Sequence, residues 1–348
     1  MKKIKIGDFI FEKNSKPFIV GEVGVNHNGE LKKAFQMIEE AKKIGLNAIK
    51  FQTFKAKEFC GDPSQTYTYK SQGKEITESM IEMFSRYEFS NDEWGKIKEK
   101  CNSEGITFLS TPQNYSDLEL LLKLGIDAIK VGSDDLTNLP LLKKYSSTNL
   151  PIILSSGMST LDEISDALNT VGFFDGYPTI LLVTTSQYPT PNKDVNLLKF
   201  HTLTEQFPDL PLGFSDHTIG NTAASIACGM GSIFFEKHFT LDCNSNGPDH
   251  WFSANPEQLK KWKNSIITSF EMLGSPEVKP TENEIANKNE FRRYIVAKKS
   301  IMLGDLFSNE NLELKRISGG NGLTGQMFEK LLNMKSNKNY KKGEKIQF

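Results

Sequence analysis

Eight short apolar runs, each ending in polar residues and each followed by a helical pattern, constrain this chain more than any other feature. They are FIVGEVGV (18–25), NAIKFQTF (47–54), ITFLSTP (106–112), DAIKVGSD (127–134), PIILSSGM (151–158), TILLVTTSQ (179–187), PLGFSDHT (211–218) and IFFEKHFT (233–240). Strands that alternate with helices pair in parallel and are covered on both faces. Eight such units match a (β/α)8 barrel rather than an open sheet, so the expected class is α/β. Punctuation residues mark the helices. Leu31 to Ile44 has apolar residues at helical spacing and stops at Gly45. Asn91 reads as the cap of Asp92 to Ser103, ended by Gly105, with further starts at Ser116, Thr160 and Asn255-Pro256. Asn221 to Gly231 reads as a helix of small residues, and Glu257 to Leu273 as the last barrel helix.

A barrel gathers the carboxyl ends of its strands on one rim, and active sites sit there. The polar strand ends are Glu22, Lys50 and Gln52, Ser110 and Thr111, Lys130 and Ser133, Ser155 and Ser156, Ser186, Ser215 and His217, Glu236 and His238. Loop polarity accounts for Ser and Thr at such places, but not for Lys50, Lys130 and Glu236 inside apolar phrases. His217 and His238 close adjacent strands, so their imidazoles converge on one mouth beside Asp216 and Glu236, a set suited to a divalent cation. Satisfied hydrogen-bonding histidines are the plainer reading of that pair. Lys50 and Lys130, in the near-identical phrases AIKFQ and AIKVGS, suit an anionic ligand carrying phosphate and carboxylate. For either lysine alone, a buried ion pair with Glu22 or Glu236 is the alternative. Lys55 to Phe89 exceeds an ordinary loop and reads as a lid or extra helical insertion over the mouth. Trp251 and Phe252, after the GPDH phrase, read as packing residues, with an acceptor-side wall as the alternative.

Composition narrows the partners. A net charge of −1 over 348 residues offers no footprint for nucleic acid or an anionic membrane. No run reaches the length of a membrane span, and the N-terminal MKKIKIGDFIFEKN lacks the apolar core of a signal peptide. The four cysteines show no paired spacing, which fits free thiols and a cytoplasmic location. No nucleotide-cradling glycine motif is present. The expected division is a barrel over 1–275, a polar linker over 276–293 and a small, glycine-turned domain over 294–348 that needs docking for stability.

The phrases GEVGVNHNG, KFQTF, FLSTP, IKVGS, ILSSGM, QYPTP, GFSDHT, EKHFTLD and GPDHWFS, in order along nearly the whole chain, resemble those of the sialic acid (nonulosonate) synthases. The tail RRYIVAKKSI…LKRI is similar to that family's C-terminal antifreeze-like (SAF) domain. The resemblance implies condensation of phosphoenolpyruvate with an open-chain 2-acetamido hexose by C–O cleavage, in a domain-swapped homodimer. It further implies His217 and His238 as ligands of Mn²⁺, with Mg²⁺ or Co²⁺ as alternatives. Lys50, Thr111, Lys130, Ser133, Ser155, Ser186 and Ser215 would hold phosphoenolpyruvate. Gln52, Tyr188, Asp249 and the partner-delivered Arg316 would face the sugar, and Glu22, Glu236 and His238 would be catalytic. The acceptor is N-acetylmannosamine or a diacetamido-trideoxy hexose of the legionaminic or pseudaminic type. Ser186 stands where N-acetylneuraminate enzymes commonly carry Asn, and Ile317 where Pro is frequent, which leaves that choice open. An octulosonate- or heptulosonate-phosphate synthase would need a second phosphate site, and a non-catalytic sugar-binding module would need none of the lysine and glutamate set.

Overall fold

The computed structural model describes residues 2–12 and 15–347. It divides into two compact units, Met1–Gly274 and Ser275–Phe348. The first opens with a small antiparallel hairpin, β1 (Ile4–Ile6) and β2 (Phe9–Phe11). Eight parallel strands follow: β3 (Phe18–Gly24), β4 (Ala48–Thr53), β7 (Thr107–Pro112), β8 (Ile129–Val131), β9 (Ile152–Ser155), β10 (Thr179–Val183), β11 (Leu212–Asp216) and β12 (Phe234–His238). They close into a barrel in chain order, with β12 pairing back onto β3. All eight expected strands are present, each shorter by one to five residues than the run that announced it.

Alternation along each strand sorts side chains between two cores. One parity (Ile19, Ile49, Phe51, Phe108, Ile129, Ile152, Leu181, Phe235) packs outward under the helices. The other parity (Phe18, Val20, Ala48, Leu109, Ala128, Ile153, Ile180, Leu182, Phe234) fills the barrel interior together with Ile4, Ile6 and Phe11 of the hairpin. The hairpin is thus the floor of the barrel, with Phe11 against Phe18 and Phe234 at ring separations of 5.2 and 6.1 Å. Complete burial of each such aromatic side chain contributes roughly 1.5–3 kcal/mol. Continuing the inward parity toward the carboxyl ends reaches Glu22, Lys50, Thr111, Lys130, Ser155, Ser215 and Glu236. The chemistry therefore rests directly on an apolar floor.

The helices follow the expected punctuation with three corrections. Helix Leu31–Ile44 buries Ala34, Met37, Ile38, Ala41 and Ile44 and ends at Gly45 in the left-handed region, φ 83°. The cap of Asn91–Glu104 is Ser90, in a reciprocal box with Glu93, not Asn91. Tyr115–Lys123 starts after Asn114, whose N–H donates to Asp117, and Ser116 instead donates to Glu58. Thr160 and Asn255 cap Leu161–Val171 and Pro256–Leu273 as expected. The third correction is the 55–89 insertion, which is built chiefly on an antiparallel hairpin, β5 (Thr66–Ser71) and β6 (Lys74–Ser79). Short helices Ala56–Phe59 and Met80–Ser85 flank it.

In the second unit, helix Glu282–Phe291 occupies the segment expected to be linker, capped by Thr281 and Glu284. Strands β13 (Arg293–Ala297) and β14 (Leu312–Arg316) pair antiparallel over a core of Ile295, Ala297, Ile301, Phe307, Leu312, Leu331, Tyr340 and Ile346. Among the described residues no helix is long and apolar enough to cross a membrane.

Candidate active site

Two lysines and two glutamates form a buried quartet at the carboxyl rim. Lys50 Nζ lies 2.6 Å from Glu22 Oε2 and 3.8 Å from Glu236 Oε2, and Lys130 Nζ lies 3.9 Å from Glu236 Oε1. Lateral register explains the proximity, since His238 pairs with Glu22 and Glu22 with Lys50 on neighbouring strands. Gln52 Nε2 donates to Glu22 Oε1 at 3.2 Å. Lys50 donates to Thr111 at 3.4 Å and Lys130 to Ser155 at 2.6 Å. Ser215 Oγ donates to Glu236 Oε1 at 3.0 Å. The buried ion pairing offered as the alternative is present for both lysines.

The two carboxyls are driven apart. Burial opposes ionisation of each, but for Glu236 the Lys130 and Lys50 ammoniums and the Ser215 hydroxyl outweigh it and hold its pKa below the usual value. Burial pushes Glu22 up, with Glu236 adding to the effect against the pull of Lys50. Burial lowers Lys130, which only part of the nearby negative charge offsets. Lys50 is held above its usual value because Glu22 and Glu236 together overcome burial. Two carboxyls with opposed shifts are the signature of a divided acid and base assignment.

His217 and His238 face one another with ring centroids 5.5 Å apart. Burial takes His217 down to about 4 and His238 well below its ordinary value, so both rings are neutral. His217 Nδ1 lies 2.8 Å from the Thr185 carbonyl, to which it donates, and this leaves Nε2 as the lone-pair nitrogen, 3.4 Å from Ser215 Oγ. His238 Nδ1 is buried without a hydrogen-bond partner among the described residues, 4.0 Å from Asp249 Oδ2. Neutral, inward-facing imidazoles with an orphaned nitrogen fit a divalent cation. No group of three His, Cys, Asp or Glu converges among the described residues, so water and substrate would have to supply the other positions. Asp216, expected beside the histidines, is excluded. It has the outward parity, and its oxygens accept from Thr218, from Trp262 Nε1 at 2.8 Å and from Lys237 at 3.0 Å.

Gln52, Ser186, Tyr188, His238 and Asp249 line a cavity of about 460 Å³. Asp249 is pushed up to about 7 by burial and by Glu22, against a hydrogen bond from the Val25 backbone. It comes so close to Gly24 that a Cβ there would sit 2.9 Å from Asp249 Oδ2, and the φ of 54° at Gly24 is itself a glycine conformation. Ser133 accepts from Gly157 N–H at 3.0 Å, and the Ser133 and Ser186 hydroxyls both crowd the place where a Cβ on Gly157 would stand, Ser133 at 2.7 Å and Ser186 closer still. Arg316 is not among these residues. It ends β14 in the second unit, exposed.

Half of the cavity wall comes from residues that sequence reasoning held only as an alternative or as an unspecified lid over the mouth. Trp251 and Phe252 line the cavity, Phe252 packing 5.2 Å from both Tyr188 and His238, and Tyr67 to Lys70 of β5 with Met83 and Phe84 complete it. The signal for the hairpin was there. TYTYKS and KEITES alternate about Gln72-Gly73, and both residues have positive φ, 49° and 77°, as a tight hairpin turn requires.

A closed parallel barrel with a lysine–carboxylate quartet and two neutral imidazoles at its carboxyl rim has the layout of a barrel enzyme. Residues 37–278 match the model of the NeuB family. The chain belongs to that family. It is 38% identical to the N,N'-diacetyllegionaminic acid synthase of Campylobacter jejuni, covering 95% of this chain and 99% of that protein. It is also 38% identical to the enzyme of the same name from Legionella pneumophila, covering 87% and 86%. Its fold resembles the N-acetylneuraminic acid synthetase of Leptospira borgpetersenii solved with citrate, with a TM-score of 0.74 and 30% identity over 83% of this chain and 97% of that one.

Proposed function

We propose that this chain is a nonulosonate synthase that joins phosphoenolpyruvate to an open-chain 2-acetamido hexose and water, releasing phosphate and a nine-carbon α-keto acid. The observation that carries the reading is the buried Lys50–Glu22–Glu236–Lys130 quartet on the same rim as His217 and His238. For the acceptor we propose a diacetamido-trideoxy hexose of the legionaminic type rather than N-acetylmannosamine. The two legionaminic acid synthases similar over most of the chain support it, as does the apolar lining from Met83, Phe84, Tyr188 and Phe252.

In this reading Lys50, Lys130, Thr111, Ser133, Ser155, Ser186 and Ser215 hold the phosphate and carboxylate of phosphoenolpyruvate, and the two ammoniums neutralise charge growing on the departing phosphate. Carbon 3 of phosphoenolpyruvate bonds to the sugar aldehyde carbon, water adds at carbon 2, and the carbon 2–oxygen bond to phosphate breaks. Glu22 and Glu236 divide the proton transfers to and from that water, and Gln52 fixes the Glu22 carboxyl. Gln52, Tyr188 and Asp249 orient the sugar. His217 and His238 would hold a divalent cation, Mn²⁺ or in its place Mg²⁺ or Co²⁺, whose chemistry is Lewis-acid polarisation of the aldehyde. The second unit would be an antifreeze-like (SAF) domain which, in a domain-swapped homodimer, carries Arg316 to the acceptor. Four free thiols agree with a reducing, cytoplasmic setting.

The test is phosphate release from phosphoenolpyruvate with Mn²⁺, comparing N-acetylmannosamine with the diacetamido-trideoxy hexoses. We expect turnover to be greatest with the legionaminic-type sugar. Phosphoenolpyruvate labelled with ¹⁸O at the bridging oxygen should release labelled phosphate. Unlabelled phosphate, or silence with every sugar, would overturn the reading.

A further inference from the structure

The proposed reaction gives no role to the end of the cavity farthest from the rim. Gln52 and His238 lie at strand ends, whereas Lys70 belongs to the β5–β6 insertion and Trp251 to the loop beyond β12, yet all four line one cavity. A continuous chain of rings joins the two ends. Phe252 packs against His238 and Tyr188, and Trp251 stands edge-on to Phe252 at 5.7 Å, with an interplanar angle of 87°. Lys70 is opposite Glu75 in the hairpin register, but its ammonium lies over the Trp251 ring, 4.9 Å from the centroid.

The pair is held in place from below. Ser71, next to Lys70, is buried. Its hydroxyl donates to Asn246 Oδ1 at 2.9 Å and accepts from Gly247 N–H at 3.1 Å. Gln72 Nε2 donates to the Asn244 carbonyl at 3.0 Å. That loop is tied down in turn by Asn28, which donates to the Asn246 carbonyl at 3.0 Å and makes a 2.9 Å hydrogen bond with His250 Nε2. The subsite is therefore preformed, and two chain segments distant in sequence meet in it at fixed register.

We infer that Lys70 and Trp251 read the second acylamino group of the acceptor, the one farther from the aldehyde. The indole face packs on the acyl methyl, and the ammonium donates to the amide carbonyl in a charge-assisted hydrogen bond. A hydroxyl at the same carbon presents neither a methyl nor a carbonyl, so the pair selects a diacetamido hexose over N-acetylmannosamine. This inference rests on the synthase reading above.

The experiment is steady-state kinetics of the full-length enzyme with Lys70→Met and Trp251→Leu, using both sugars. In each variant the ratio of kcat/KM for the diacetamido sugar to that for N-acetylmannosamine should fall about 10-fold or more, the scale of one lost charged hydrogen bond. The rise should lie in the KM for the diacetamido sugar, with the KM for phosphoenolpyruvate moving less than about 2-fold. Wild-type turnover with an unchanged ratio in Lys70→Met would sink the subsite and leave the synthase standing. A wild type silent with both sugars would sink both.

Discussion

Ser215, Asp216 and His217 are consecutive, yet only the outer two reach the site. Strand alternation sends Asp216 to the helix layer, where Trp262, Thr218 and Lys237 saturate it. Removing it strands the Lys237 ammonium in a buried place, a loss of about 3–5 kcal/mol. Asp216→Ala should therefore lower the unfolding free energy obtained from a urea titration by that amount, and a change within experimental scatter would show that the pair is dispensable. The inward set was legible in the sequence because its members sit two residues apart within strands, Lys50 with Gln52 and Glu236 with His238. Asp216 was misplaced because its proximity to His217 was weighed ahead of the period-two rule. The opposed shifts of Glu22 and Glu236 were not legible at all. They depend on which lysine stands nearer to each carboxyl, and that comes from register between strands far apart in sequence.

At the scale of elements, the barrel strands and most helices could be read off because each carries a local signal, apolar runs for strands and caps for helices. The β5–β6 hairpin carries only the weaker signal of alternation about Gln72-Gly73, because its strands are largely exposed and polar and no apolar run announces them. What fixes it is a long-range contact, Ser71 to Asn246 and Gly247. Ser71→Ala leaves the Gly247 N–H without its acceptor, worth about 1–3 kcal/mol to the latch. The expected outcome is faster hydrogen exchange at Gly247 and along β5, with global stability nearly unchanged and a raised acceptor KM. Protection equal to wild type would mean that the hairpin is held by something other than this latch. The three-residue strands of the floor hairpin fall below the length at which alternation can be recognised.

Four of the five histidines are buried and neutral, and this sets how the whole molecule responds to acid. Burial takes His27 down to about 3, with His250 nearby, and takes His250 itself down to about 4. Their unfolded values lie near 6.5, so below that pH the unfolded chain takes up protons that the fold refuses. Their contribution is fully present above pH 6.5 and is lost as pH falls toward 4, at about 1.4 kcal/mol per unit of separation. Asp249, held at about 7, works in the opposite sense, since the folded form keeps its proton between pH 7 and 4 while the unfolded chain releases it. The histidines outnumber it, so the Tm without added metal should drop from pH 7.5 to pH 5. A flat or rising profile would contradict the assignment of neutral buried rings. The barrel floor carries a different consequence, for synthesis. Phe11 leaves the ribosome roughly 220 residues before its partner Phe234, tens of seconds at about 5–20 residues per second. During that interval the hairpin can pack on Phe18 but not on Phe234, so part of its apolar face stays open and a holdase chaperone would find its target there.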